Sequence, residues 1–494
     1  MAVETLDTGA NGASTTTSGS TKTLHIAPML HVSNSEFRHF FRILSKHCVL
    51  WTEMVVDETI VFNRHNQTLL ESHLGLTGAE HPTICQIGGI TPELTAQATV
   101  QIEDFGYDEI NLNMDCPSDR VSGKRHFGAV LMKELDHAMD IVRAMKENAR
   151  NIPVSIKCRV GIDDFDSFEY LVDVISKLSQ VCKRFYLHAR KCILAGLTPE
   201  QNRLVPPLNY PRVYALCEQF PDCQFWINGG IPGLKAAKEL VYGNAITNVN
   251  DTMKNINDTA IQSEQEYQQH QVPCTLCQAP NGSCTAPPAK VPSNLLGCML
   301  GRAAMDNPSQ FWDVDRYFYD RPRNPCQNRT QVLEQYCHYL DQTYPRRCCD
   351  DDDEQVTSRI PAPKVIFQKP YCPICREYRS NDRKDTHDDK SNSFNNHTGR
   401  TSKIKITSRV VDRSLKPVLG IFFRQPGSKT FRRECDLLSR DTEVRNCGPA
   451  FILYKALQVM KPEVLDQDFV KTEDTKDSDI TVHVSPPSCS PCLS

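Results

Sequence analysis

From Leu24 to about Asp320, short apolar runs alternate with amphipathic stretches, the pattern of parallel strands joined by crossover helices. Eight strands are predicted: Leu24 to Met29, Val49 to Met54, Pro82 to Ile87, Glu109 to Asn113, Pro153 to Arg159, Arg184 to His188, Gln224 to Asn228 and Gly297 to Leu300. Helical periodicity fills the spaces between them, as in Pro92 to Phe105, Leu131 to Ala149 and Pro211 to Phe220. An α/β fold follows, a closed (β/α)8 TIM barrel over residues 24–325, rather than a sandwich.

The rhythm breaks between Tyr242 and the eighth strand, where about 243–294 is rich in Asn, Gln, Pro and Cys and reads as an inserted surface loop. Beyond the barrel, helical patterns at Thr330 to Tyr344, Val410 to Phe423 and Gly448 to Met460 make a small all-helical domain over 326–465. A polar, acidic tract at about 346–402 interrupts it and is expected to be flexible. Residues 1–23 and 466–494 read as disordered tails.

Composition narrows the function classes. No apolar run approaches the roughly 20 residues that cross a bilayer, and the opening stretch has neither a secretory nor an Arg-rich transit pattern. A soluble cytoplasmic monomer with no obligate protein partner is expected, an organelle being an alternative location. Net charge is -4, so any contact with nucleic acid must rest on local basic surface. The 22 cysteines are scattered through apparent core segments, so reduced thiols are the default.

Chemistry in such a barrel gathers at the carboxyl ends of strands, and phosphate commonly docks after strands seven and eight. Those ends carry Asn228-Gly229-Gly230 and Gly301-Arg302, which supply unhindered backbone N–H groups and a guanidinium; the glycines could also serve only as turns. Polar residues interrupt other apolar strand ends at Gln86, Lys157 and His188. Each alone could be a structural hydrogen bonder, but together they favour a ligand pocket. Cys116 follows strand four, before Pro117. A thiol of ordinary pKa is mostly protonated at neutral pH and can act as a general acid, although a cysteine chosen at random is more often an inert small hydrophobe.

The ordered motifs Ile26-Ala27-Pro28-Met29, Thr52-Glu53-Met54, Gln86, Asn111-Leu112-Asn113, Cys116-Pro117-Ser118-Asp119-Arg120-Val121, His188-Ala189-Arg190-Lys191, Gly196-Leu197-Thr198-Pro199 and Asn202-Arg203, with the strand ends above, span nearly all of 24–320. The chain thereby resembles the tRNA-dihydrouridine synthases, in particular their A-type branch. The resemblance implies reduction of uridine to 5,6-dihydrouridine in the D-loop of tRNA, at positions 20 and 20a, with FMN as cofactor and NADPH as reductant. It implies Cys116 as the acid that protonates C5. FMN would be bound by Pro28, Met29, Leu30, Gln86, Lys157, His188, Asn228, Gly229, Gly230, Gly301 and Arg302. The target nucleotide, extruded from its stack, would meet Asn113, Arg120, Lys191 and Arg203.

Two departures accompany the likeness. The residue before the catalytic Cys is usually Gly in this family and is Asp115 here, and the His31 to Phe37 loop lacks the Asp and Thr-Asp-Arg pattern common after the first strand. From Thr401 to Arg433 nine Lys and Arg stand against the single acid Asp412. Lys416, Lys429 and Arg432 in this field would hold tRNA phosphates; a solvated helix face is the competing reading. Three Cys-x-x-Cys pairs, at Cys274, Cys372 and Cys489, are too far apart to predict a metal site, and none is expected. Two other functions fit the same features: a barrel flavoprotein reducing a small molecule, and a tRNA-binding homologue with impaired catalysis.

Overall fold

The computed structural model describes residues 22–117, 127–243, 288, 290–344 and 406–469. Nine parallel strands form one sheet: β1 (Thr23–Ile26), β2 (Leu50–Trp51), β3 (Val55–Val56), β4 (Thr83–Gly88), β5 (Glu109–Met114), β6 (Val154–Arg159), β7 (Arg184–His188), β8 (Gln224–Asn228) and β9 (Leu295–Leu300). The order is β1-β9-β8-β7-β6-β5-β4-β2, and β3 also pairs with β4. A parallel bridge between His25 and Val49 brings β1 back to the β2 segment, with Ile26 N donating to Val49 O at 2.9 Å. The eight-stave barrel read from the sequence is therefore present, its second stave split into two short strands.

The outward strand faces are apolar because helices cover them, while the opposite residues, aromatic or polar, fill the lumen. Inside the lower barrel, Trp51, Tyr186 and Trp226 pack with His25, ring centroids of Trp51 and Tyr186 being 4.7 Å apart and those of Tyr186 and Trp226 4.6 Å. Their polar edges are satisfied locally. Trp51 Nε1 donates to His25 Nδ1 at 3.1 Å and Trp226 Nε1 to Thr23 Oγ1 at 2.7 Å.

Beside these rings, from the amino end of β5 toward the mouth, the lumen carries a polar ladder. Glu109 Oε1 accepts from Ser155 Oγ at 2.6 Å and Tyr186 Oη at 2.9 Å, while Arg184 donates to Oε2. Asn111 Nδ2 donates to Ser155 Oγ at 2.8 Å, Gln86 Nε2 to Asn111 Oδ1 at 2.9 Å, and Asn113 Nδ2 to Gln86 Oε1 at 2.9 Å. Glu109, Asn111, Asn113, Gln86, Ser155 and Tyr186 are all buried, and each such group needs a partner where water cannot reach.

Helix boundaries fall within a few residues of those predicted, with two differences. The run from Leu131 to Ala149 divides into a 3-10 segment, Gly128–Met132, and a helix, Leu135–Asn148; Val410 to Phe423 yields only Ser408–Leu415 and a short 3-10 turn, Lys416–Val418. Pro417 ends the regular helix because its ring clashes with the preceding turn. The helix Ser428–Arg440 is not separately predicted from the sequence, where its residues stand out as part of a basic field; it buries Phe431 and Cys435.

The helices Arg329–Thr343, Ser408–Leu415, Ser428–Arg440 and Pro449–Leu457 pack together and onto the first barrel helix, Ser35–Leu44, so that one hydrophobic core runs through both parts. Phe40 meets Tyr336 edge-on at 5.3 Å, and Tyr336 Oη donates to Ser414 O at 2.7 Å. Buried Glu36 accepts from Arg413 at 3.1 Å and from Tyr344 Oη. Gly420 is at the closest approach, where an added Cβ would lie 2.6 Å from Pro308 Cδ and 2.7 Å from Met305 O. Gly420→Ala is expected to cost about 1–3 kcal/mol through overpacking, measurable as a lower urea midpoint; an unchanged midpoint would show that the helical part is free to shift.

No helix among the described residues is long and apolar enough to cross a membrane, and no cluster of metal-ligating side chains occurs among them. The three Cys-x-x-Cys pairs, both insertions and the tails lie largely or wholly outside the described residues.

Candidate active site at the barrel mouth

The carboxyl end of β5 turns sharply at Asn113. Its side-chain oxygen accepts from the backbone N–H groups of both Asp115 and Cys116, each at 3.1 Å, and Cys116 O in turn accepts from Ala129 N at 3.0 Å. Asn113, expected to meet the nucleotide, thus has its oxygen committed to the loop that carries Cys116 and its amide to Gln86. Asn113 therefore positions the Cys116 loop. Cys116 is partly buried and its sulfur is in no disulfide.

Asp115 points its carboxylate into the mouth. It pairs with Lys157 Nζ, with Arg159 Nε at 2.7 Å and with His188 Nδ1 at 3.2 Å. Burial alone would raise its pKa, but Lys157, Arg159 and His188 together hold the carboxyl well below the usual range. Burial and the Arg159 charge push His188 down to about 3, so at neutral pH the imidazole is uncharged and its Nδ1–H is the group available to donate to Asp115. The alternation of Lys157 and Arg159 along β6 places both cations on the lumen face. Sequence reasoning does not single out Arg159, although its spacing of two from Lys157 carries that signal. It also donates to the carbonyls of Lys191 at 3.1 Å and Asn202 at 2.9 Å.

A second cationic group lies at the ends of β7 to β9. Arg190 is buried, donates through Nη1 to Leu204 O at 3.1 Å, and has its Nε without a partner. Burial, then repulsion from Arg302 and Arg159, outweighs the opposing influence of Tyr210 and lowers its pKa to about 10. Arg302 is held down by burial and by Arg203, with Asp306 opposing. Arg302 Nη2 reaches Arg203 O only at 3.4 Å. Gly229 and Gly230 adopt φ of +119° and +62°, a backbone that favours glycine. A Cβ on Gly229 would lie 2.9 Å from His188 Cδ2. These residues suit an anion such as phosphate: a buried guanidinium nitrogen without a partner, two more arginines whose charges act along the group and a glycine turn stand at neighbouring strand ends.

The other predicted positions divide. Pro28 and Met29 are half-buried at the end of β1, Asn228 Nδ2 donates to Met299 O at 2.8 Å, and Met29 Sδ would be 3.5 Å from a Cβ on Gly301. Leu30 is 61% exposed, on a loop where His31 takes φ of +60°. Lys416 Nζ donates to His31 O at 2.7 Å, tying the helical part to this loop. Lys191 pairs with Asp166 at 3.2 Å, and Arg203 is exposed. Arg432 Nε donates to Leu419 O at 3.0 Å, and Lys429 is exposed. Arg120, Lys403 and Lys405 lie outside the described residues.

Residues 25–250 match the family model described as dihydrouridine synthase (Dus). Three similar proteins are each named tRNA-dihydrouridine(20/20a) synthase. That of Vibrio vulnificus is 35% identical over 321 residues, 65% of this chain and 80% of the relative. That of Vibrio parahaemolyticus is 44% identical over 217 residues, 44% of this chain and 64% of the relative. The Escherichia coli K12 protein is 45% identical over 215 residues, 43% of this chain and 60% of the relative. The higher identities therefore span somewhat less than two thirds of those relatives, whereas the longer alignment spans four fifths of its relative. With this level of identity over four fifths of a relative's length, on a parallel barrel whose strand ends carry the expected motifs, the chain belongs to the dihydrouridine synthase family.

Proposed function

We propose that the protein reduces uridine to 5,6-dihydrouridine in the D-loop of tRNA, at positions 20 and 20a, as the names of its relatives suggest. The observation that carries this reading is the convergence on one barrel mouth of the Cys116 loop, the Lys157–Arg159 cations and the Arg190–Arg302 group. The chain's own residues suit FMN at its phosphate end, where Arg190, Arg302, Gly229 and Gly230 would hold the group. Lys157 and Gln86 would face its pyrimidine edge. Bound there, FMN recharged by NADPH would supply the hydride for C6 of the uracil.

Cys116 holds the proton that C5 requires, and Asn113 fixes the backbone N–H groups of Asp115 and of Cys116 itself. Arg203 and Lys191 stand on the rim, where they would steer the nucleotide. The helical part would grip the tRNA body. Lys429, Arg432 and Arg433 are exposed along one helix, next to Arg424, whose guanidinium lies 5.3 Å from the ring of Phe423. Basic and aromatic groups side by side suit phosphate binding with stacking.

The direct test is to incubate the full chain with FMN, NADPH and unmodified tRNA and map the mass gain of two hydrogens on the product. Modification confined to positions 20 and 20a is expected; turnover of free uridine with none on tRNA would favour a small-molecule reductase. Lys429→Ala with Arg433→Ala is expected to weaken tRNA binding and to make the plot of log affinity against log salt shallower, by about one unit for each phosphate no longer neutralised. An unchanged slope would move the tRNA surface elsewhere.

A further inference from the structure

Asp115 is the residue at the mouth that the family pattern does not explain. Of the polar groups there, Lys157 is the one whose bonding depends on it. Arg159 keeps two backbone carbonyls whether or not a carboxylate is present. Among the described residues, the Lys157 ammonium is hydrogen-bonded to Asp115 Oδ2. The carboxylate also accepts the His188 Nδ1 contact, which leaves Nε2 of that neutral ring as an acceptor on the side of Gly229, 3.3 Å from where a Cβ would stand. The backbone of Asp115 is not free to swing away, because Asn113 Oδ1 holds its N–H and Arg159 Nε its carbonyl at 3.1 Å.

We propose that Asp115 is a built-in anion of the flavin pocket, which occupies Lys157 and His188 and thereby sets both the affinity for FMN and the balance between its oxidised and reduced forms. The inference rests on the functional reading above. Its physical basis is charge. In the group around Asp115, apart from Arg190 and Arg302 at the phosphate end, an ionised carboxylate leaves Lys157 and Arg159 one net positive charge; with glycine at this position they would leave two. An electron-rich reduced flavin carries negative charge at its pyrimidine edge, and a nearby cation stabilises that form more than the neutral oxidised one. Cancelling half of the cationic charge withdraws part of that preference, so the carboxylate makes bound flavin a stronger reductant and a weaker ligand. It also turns His188 so that its lone pair, rather than an N–H, is offered toward the phosphate side.

The experiment compares the full chain with Asp115→Asn and Asp115→Gly after removal of any bound flavin. FMN affinity is read by quenching of its fluorescence, and the midpoint potential of the reloaded proteins by dye equilibration. Both variants are expected to bind FMN at least about tenfold more tightly than the parent, the reduced form gaining more than the oxidised. The potential should rise, by about 30 mV for each tenfold difference between those two gains. A purely structural carboxylate would alter melting without moving the potential. Asp115→Asn preserves the shape of the side chain, so it reports even if the glycine variant unfolds. Equal affinity and equal potential in parent and asparagine variant would overturn the proposal while leaving the flavin reading intact. Absence of FMN binding in parent and both variants would overturn the flavin reading, and this proposal with it.

Discussion

Cys116→Ala is expected to lower dihydrouridine formation on tRNA by about 10²- to 10⁴-fold, the range that a positioned general acid supplies, while FMN retention stays as in the parent. The two halves separate because the thiol and the cationic groups are held by different elements. Cys116 belongs to the loop after β5, pinned by Asn113 and by Ala129 N; the residues proposed to hold the anion stand at the ends of β6 to β9. Removing one sulfur therefore deletes the proton source without touching the flavin's proposed partners. Single-turnover conversion of unmodified tRNA by flavin-loaded protein, started after reduction, reads the acid step alone. Conversion at the parental rate would refute the role of Cys116, and release of flavin from the variant would make the residue part of the cofactor site.

A second large effect is expected far below the mouth. Glu109→Ala should destabilise the fold by about 3–5 kcal/mol, the cost of removing one partner from a buried ionic network, and lower the thermal midpoint by on the order of 10 °C. The carboxylate is nearly fully buried and accepts from Arg184, Ser155 and Tyr186 together. Its removal takes the acceptor from the Tyr186 hydroxyl and leaves Ser155 Oγ only a 3.4 Å donor contact to Ile110 O, while Arg184 keeps Gln224 Oε1 as an acceptor. Glu109→Gln should lose less, since an amide oxygen can still accept from two of them. Because the ladder continues through Asn111, Gln86 and Asn113 to the Cys116 loop, activity of the folded fraction should fall as well. A melt unchanged from the parent would mean that the network contributes no net stability.

The fold was legible for a simple reason. Short runs with an apolar outer face, bounded by turns, contrast with the longer amphipathic helices even in one dimension, so β7 and β8 were bounded to the residue and the others within a few. The C-terminal helices were harder. Ser428–Arg440 is amphipathic but rich in Lys and Arg, so along the chain it reads as a charged field, and the core of the helical part depends on long-range packing of Arg329–Thr343 and Ser408–Leu415 against Ser35–Leu44.

For the site, the chain by itself determined which chemical groups stand at strand ends: a cysteine after β5, a lysine on β6, a histidine on β7, glycines after β8 and an arginine after β9. Period-two geometry and the chirality of parallel crossovers send those positions to one mouth, so their convergence follows without knowledge of any pairing. Only the tertiary structure decided how the groups share one another. Sequence spacing could not reveal that Asn113 secures the Cys116 loop, that Arg190 leaves a buried nitrogen unpaired, or that Asp115 reaches across to Lys157, Arg159 and His188. Asp115 draws its partners from other strands, and electrostatic partnership depends on distance in space and on exclusion of water, neither of which is encoded at any single position.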